Sequence, residues 1–139
     1  METIEIREET FRASIPLDQL INYPVGQLRT LFKMILKNDF EEANREAVLV
    51  LNEWIPRELD TAKAAWAKAS KEYADGWKSI PCPYGQPPEV KAEIKAQKDI
   101  NRRLTSAVIR TRNYYNAIQK LQKNYLQVKQ DDKRRYKNV

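Results

Sequence analysis

The residues best placed to do chemistry are cations at helical spacing in the last third of the chain. Lys91, Lys95, Lys98 and Arg102 follow one another at steps of 4, 3 and 4. The register runs on through Arg112, Asn116, Lys120, Lys123, Gln127, Gln130, Arg134 and Lys137, with Thr105 and Ile109 as weak links. Arg103, Arg110 and Arg135 flank this stripe, and Arg29, Lys33 and Lys37 recur at four-residue steps nearer the start. Cations spaced along a rod suit a phosphate backbone, because each neutralised phosphate releases condensed counterions. Interleaved Asn and Gln can donate to phosphate and sugar oxygens without reading a sequence. Recognition of nucleic acid by shape and backbone is the expected chemistry.

The competing explanation is a solvated helix face, since Lys and Arg are good helix formers. Charge distribution argues against it. Residues 1–90 hold 11 Lys/Arg against 15 Asp/Glu, whereas residues 91–139 hold 14 against 4. A face that is merely soluble mixes signs. Segregation of this kind points to a polyanion partner, a neighbouring subunit, or both.

Other chemistries find little footing. The chain has no His, the commonest general base and metal ligand. Cys82, between Pro81 and Pro83, is the only cysteine and can make neither an intrachain disulfide nor a cysteine-based zinc site. As a nucleophile it would lack a His partner. The carboxylate pairs Glu8/Glu9, Glu41/Glu42 and Asp131/Asp132 are adjacent in sequence, so on a helix they diverge. Gly85 belongs to no phosphate-binding motif. No catalytic residue, metal site or cofactor is expected. Tyr114, Tyr115, Tyr125, Tyr136, Trp54, Trp66 and Trp77 could stack on bases, but at helical spacing they serve a core or a subunit interface more readily.

The elements that must position these residues read as all-α. Glycine is scarce, with 3 residues, and Ala, Leu, Lys, Glu, Gln and Arg are abundant. Residues 1–39 are read as an N-terminal arm (1–15, without a clean period) followed by short helices. Ser14 is placed to cap the first of these, with Pro16 in its first turn, and Pro24 interrupts it. A firmer helix is expected over 25–38, where Val25, Leu28, Leu31, Phe32, Ile35 and Leu36 form an apolar face. Asp39 is placed to cap the next helix.

Residues 40–139 are read as a helical hairpin domain. Ile55, Leu59, Ala62, Trp66, Ala69 and Tyr73 alternate at steps of 4 and 3 within a segment from 40 to 78, the seam of a packed helix pair. Pro56 predicts a break near Trp54 and Ile55, with a new helix beyond it. Residues 79–88 (SIPCPYGQPP) form a loop. From Glu89 to about Lys137 nothing breaks the helix, and Leu104, Val108, Thr111, Tyr115, Ile118, Leu121, Tyr125 and Val128 supply a second seam. Residues 56–78 and 90–128 are expected to pair antiparallel. Such a C-terminal helix would reach about 72 Å, far beyond its partner, and would fold back or engage another molecule. The basic stripe is placed roughly opposite the seam, since Ile118 and Lys120 stand about 200° apart.

No run approaches the roughly 18 to 20 apolar residues of a membrane-spanning helix. The acidic start, METIEIREE, is unlike a signal peptide. A soluble, unprocessed chain is expected.

These features resemble the major coat proteins of filamentous archaeal viruses of the lipothrixvirus type. The likeness is carried by NYPVGQLRTLFKMILKN, by the Trp/Ala-rich IPRELDTAKAAWAKASKEYADGW and by the basic, aromatic RNYYNAIQKLQKNYLQVKQDDKRRYK. It covers most of the chain as architecture and composition, without a motif that transfers single residues. It implies an all-helical virion protein that pairs with itself or a homologous subunit, polymerises helically and wraps double-stranded DNA, with an envelope lipid surface as a further neighbour. Two other classes stay open: a small helical subunit of a cytoplasmic nucleoprotein effector complex, and a helical adaptor docking on an acidic protein or membrane. Under the polymer expectation the acidic N-terminal arm meets a basic neighbour, and removing residues 1–13 would leave the helical bundle folded.

Overall fold

The computed structural model describes residues 2–137, with side chains as far as Lys133. In chain order it contains β1 (Thr3–Glu8), β2 (Phe11–Pro16), a 3-10 turn (Leu17–Asn22), α1 (Val25–Lys37), α2 (Glu42–Gly76) and α3 (Pro88–Lys137). Two compact units divide these elements. A terminal unit holds the residues up to Leu59 together with those from Ala117 on, and an inserted unit holds Asp60–Asn116. The expected division at 39/40 is thus not where the compact units part.

The protein is mostly helical, with 76% helix and 9% strand. The helical expectation holds in its coarse form, and a short two-stranded sheet stands beside the helices. Residues 3–16 are an antiparallel β hairpin pairing Ile4 with Ile15, Ile6 with Ala13 and Arg7 with Arg12. Ile4 and Ile6 point inward while Thr3, Glu5 and Arg7 face out, the period-2 pattern of a half-buried strand. Ser14 therefore lies in β2 and caps no helix, and Pro16 occupies the cap position of the 3-10 turn.

A two-stranded ribbon is marginal alone, and here the terminal unit holds it. Ile4, Ile6 and Ile15 are buried. Asn44, fully buried on α2, accepts from the Arg7 backbone N–H (2.8 Å) and donates to the Arg7 carbonyl (2.7 Å), as a neighbouring strand would. Arg57 makes a two-pronged contact with the Glu2 carboxylate at 2.8 and 2.9 Å. The hairpin is ordered by its own chain, so removing residues 1–13 would strip part of a core. The expected independent arm is corrected.

The rest of the terminal unit is a helical core. Phe32 of α1 meets Tyr125 of α3 edge-on, with centroids 5.0 Å apart. Leu28, Ile35, Leu51, Ile118 and Leu121 are buried with them. Helix α2 begins at Glu42, beyond Asp39, and runs unbroken through Pro56, so the break expected there is absent. Pro56 removes the donor for the Asn52 carbonyl one turn earlier. Both residues are solvent-exposed, where water can take the freed acceptor.

In the inserted unit the core is thinner. The buried or half-buried residues of its α2 segment are Ala62, Trp66, Ala69 and Gly76. On its α3 segment Val90, Ile94, Gln97, Asn101, Leu104, Val108, Thr111 and Tyr115 lie at steps of 4 and 3 and carry that seam further upstream than Leu104. Three contacts join the segments in reverse order along them. The Trp66 and Tyr115 rings lie 5.5 Å apart, a Cβ at Gly76 would stand 3.0 Å from Leu104 Cδ1, and Asn101 binds the backbone of Lys78. A side chain at Gly76 would press on the end of Leu104, which would have to give by a few tenths of an ångström. In the loop, Gly85 has φ +78°, a left-handed turn position suited to glycine.

Candidate nucleic-acid interface

The geometry of the inserted unit sorts its charges by where they stand relative to the seam residues. Lys91, Lys95, Lys98, Arg102 and Arg112 each follow directly after a seam residue: Val90, Ile94, Gln97, Asn101 and Thr111 respectively. One residue forward is a turn of about 100°, so all five lie on one flank of α3. The stripe thus runs beside the seam, not opposite it, a correction that follows from Ile94 and Asn101 being the buried positions. Glu89 and Glu93 directly precede the seam residues Val90 and Ile94 and lie on the other flank, as do Arg103 and Arg110 before Leu104 and Thr111. On α2 the same rule puts Lys63 after Ala62, Asp75 before Gly76, and Glu72 before Tyr73, a seam position left 36% exposed; Trp77 directly follows Gly76, where α2 ends.

All seven predicted cations of this unit are exposed, and among the described residues none forms an ion pair. The unit holds 11 Lys/Arg against 6 Asp/Glu, so it supplies +5 of the chain's +6.

Polar seam residues hold this geometry. Asn101 accepts from the Lys78 N–H (3.1 Å) and donates to the Lys78 carbonyl (2.8 Å). Gln97 donates to the Gly76 carbonyl (3.1 Å) and to Asn101 Oδ1 (2.8 Å). They satisfy the end of α2 where it leaves the helix and fix Trp77 and Lys78 against α3. Neither residue figured in the sequence reading. Their signal was an Asn and a Gln falling at seam positions, where an apolar side chain belongs.

The terminal unit treats its predicted cations differently. Arg29 Nε donates to Asn124 Oδ1 at 2.8 Å, and Asn124 in turn donates to the Lys120 carbonyl. Arg29 is thereby tied to packing. Lys33 and Lys37 line a groove shared with Asp131 and Asp132. Lys120 and Lys123 are exposed, with Ile118 fully buried. The side chains of Arg134, Arg135 and Lys137 lie outside the described residues.

Of the aromatics, Tyr125 and Trp54 are buried and Trp66 is half-buried. Tyr125 donates to Asn52 Oδ1 at 2.8 Å, and burial pushes its phenol up to about 12. Trp77 stays open. Among the described residues no group of three or more acidic, His or Cys side chains converges as a metal site, and no helix is long and apolar enough to cross a membrane.

No family model matches the chain, and no curated protein or solved structure is detectably similar to it.

Proposed function

We propose that this is a structural nucleic-acid-binding protein that grips the phosphate backbone of duplex DNA without base specificity, through one flank of its inserted unit. The observation that carries this is the row Lys91, Lys95, Lys98, Arg102 and Arg112, exposed and without an intrachain carboxylate partner among the described residues. The reverse order of contacts between the two segments supports antiparallel packing within the unit. Two right-handed helices running in opposite senses turn oppositely when viewed from one end. The flank one residue forward of each seam is then the same side of the pair. Lys63 joins the five α3 cations there, while the far side mixes Glu72, Asp75, Glu89 and Glu93 with Arg103 and Arg110. That is the charge layout a polyanion-binding ridge needs. Packaging of DNA by a polymer of such subunits is the form that the resemblance to filamentous-virus coat proteins favours.

Titration of unrelated duplexes at several salt concentrations tests the proposal. The slope of log K on log salt should be about −0.9 per neutralised phosphate, giving about −4 to −6 for this ridge. Affinity should barely vary with sequence. A flat salt response overturns it.

A further inference from the structure

Trp77 is 43% exposed and lies stacked on Tyr73, itself 36% exposed, with ring centroids 6.1 Å apart and planes at 27°. The pair is not a loose surface feature. The Trp77 N–H donates to the Tyr73 carbonyl at 2.9 Å, and the next residue is held at both its N–H and carbonyl by buried Asn101. Asn101 lies between Lys98 and Arg102 on α3, one turn after the first and one residue before the second. Trp77 directly follows a seam residue, as do both cations, and antiparallel packing puts all three on the same side. An aromatic step held on a fixed backbone therefore shares a flank with two cations that form no ion pair among the described residues. A nucleotide can place its base on the ring and a phosphate on a cation of that flank. Of the carboxylates at this end of the unit, Glu72 and Asp75 lie on the other flank, and Asp99, two residues before buried Asn101, lies on the outward face of α3.

We propose that the Tyr73–Trp77 pair is a stacking platform for an unpaired nucleobase, at an end, gap or single-stranded stretch, whose phosphates rest on Lys98 and Arg102. The inference deepens the phosphate-binding proposal and rests on it. Stacking uses the π-face that every base has, so it adds affinity without a base code. Bases inside an intact duplex have no free face to offer. Cationic neighbours on the same flank favour a nucleic acid over an apolar protein segment as the occupant.

The test compares an oligothymidylate of about 16 nucleotides with an abasic strand of the same length, by fluorescence anisotropy at one salt concentration. Both strands carry the same phosphates and only one carries bases. The thymidylate should bind roughly 5- to 100-fold more tightly, the range expected for one stacked base. Trp77→Ala should erase that difference while leaving abasic binding and its salt slope in place, and Trp77→Phe should retain most of it. Equal, salt-sensitive affinity of wild-type protein for the two strands overturns the platform and leaves the phosphate ridge standing. Binding of neither strand overturns both. The wild-type comparison decides the matter even if a variant fails to fold. Equal affinities accompanied by a shift of Trp emission on self-association would assign the pair to a second copy of the chain and likewise overturn the proposal.

Discussion

The terminal unit and the inserted unit use similar residue types to opposite ends. The terminal unit balances 14 Lys/Arg with 13 Asp/Glu, ties Arg29 to a buried Asn, faces Lys33 and Lys37 with carboxylates, and closes its core with Phe32, Leu51 and Tyr125. The inserted unit builds its core on Ala62, Ala69 and Gly76, leaves its cations unpaired among the described residues, and keeps Trp77 open. Each has one buried Asn that binds both polar groups of a single backbone residue: Asn44 on Arg7, Asn101 on Lys78. In the terminal unit this latch completes a fold, and in the inserted unit it presents a surface. Net charge alone would not have told these two uses apart. The tie of Arg29 to Asn124 does, beside a row of inserted-unit cations with no such tie among the described residues.

The sharpest way to break the comparison is charge reversal. Lys95→Glu, Lys98→Glu and Arg102→Glu together should weaken duplex binding at least about 100-fold, since each lost phosphate contact forfeits counterion release. Lys33→Glu with Lys37→Glu should cost less than about 3-fold, because Asp131 and Asp132 in the same groove already offset those two charges. Similar losses in the two sets, measured by anisotropy, would show that the ridge is not confined to the inserted unit.

Core truncation should separate the units next. Phe32→Ala, at a fully buried ring, should cost about 3–5 kcal/mol. Trp66→Ala, at a half-buried ring resting on Tyr115, should cost nearer 2 kcal/mol. Denaturant unfolding followed by circular dichroism would compare them. Equal costs would mean that the inserted unit is as well packed as the terminal one.

The smallest effect is alkaline. The Tyr125 phenol, raised by burial to about 12, holds its proton more tightly folded than unfolded, where it titrates near 10. Its contribution to stability is whole below about pH 10 and drains away as pH climbs toward 12. Tyrosinate absorbance should contain a late-titrating component, and Tyr125→Phe should remove it at a cost of about 1 kcal/mol near neutrality. A late component that survives the substitution would move the buried phenol elsewhere.

Much of the helical skeleton was legible in the sequence. The apolar face of Val25–Lys37, the proline-rich loop and the uninterrupted run from Pro88 follow from periodicity and from where Pro and Gly stand. The hairpin was not, because β2 alternates weakly (Phe11, Arg12, Ala13, Ser14, Ile15) and the chain's helical composition outweighs fourteen residues. Pro56 misled because propensity counts the lost hydrogen bond without knowing that Asn52 and Pro56 both lie on the exposed side of the helix. Cation spacing revealed the ridge. Its position beside the seam depended on whether Asn101 or some neighbour is buried, and a polar residue at a packing position carries no hydropathy signal. Trp77 was among the aromatics that could stack on bases, but spacing alone does not separate it from Trp54 and Trp66, which the fold buries or half-buries.

The inserted unit also changes how the chain closes on itself. The contact from Arg29 to Asn124 spans 95 residues, a loop whose closure is entropically costly if the intervening chain is unstructured. Trp66 against Tyr115 draws the two ends of the insertion together. Once that contact forms, the terminal unit is in effect a much shorter chain, with the insertion acting as a folded staple. The order of assembly is then set by topology. The contacts of the cationic unit, contiguous in sequence, close over shorter separations than the one from Arg29 to Asn124, which favours its forming first.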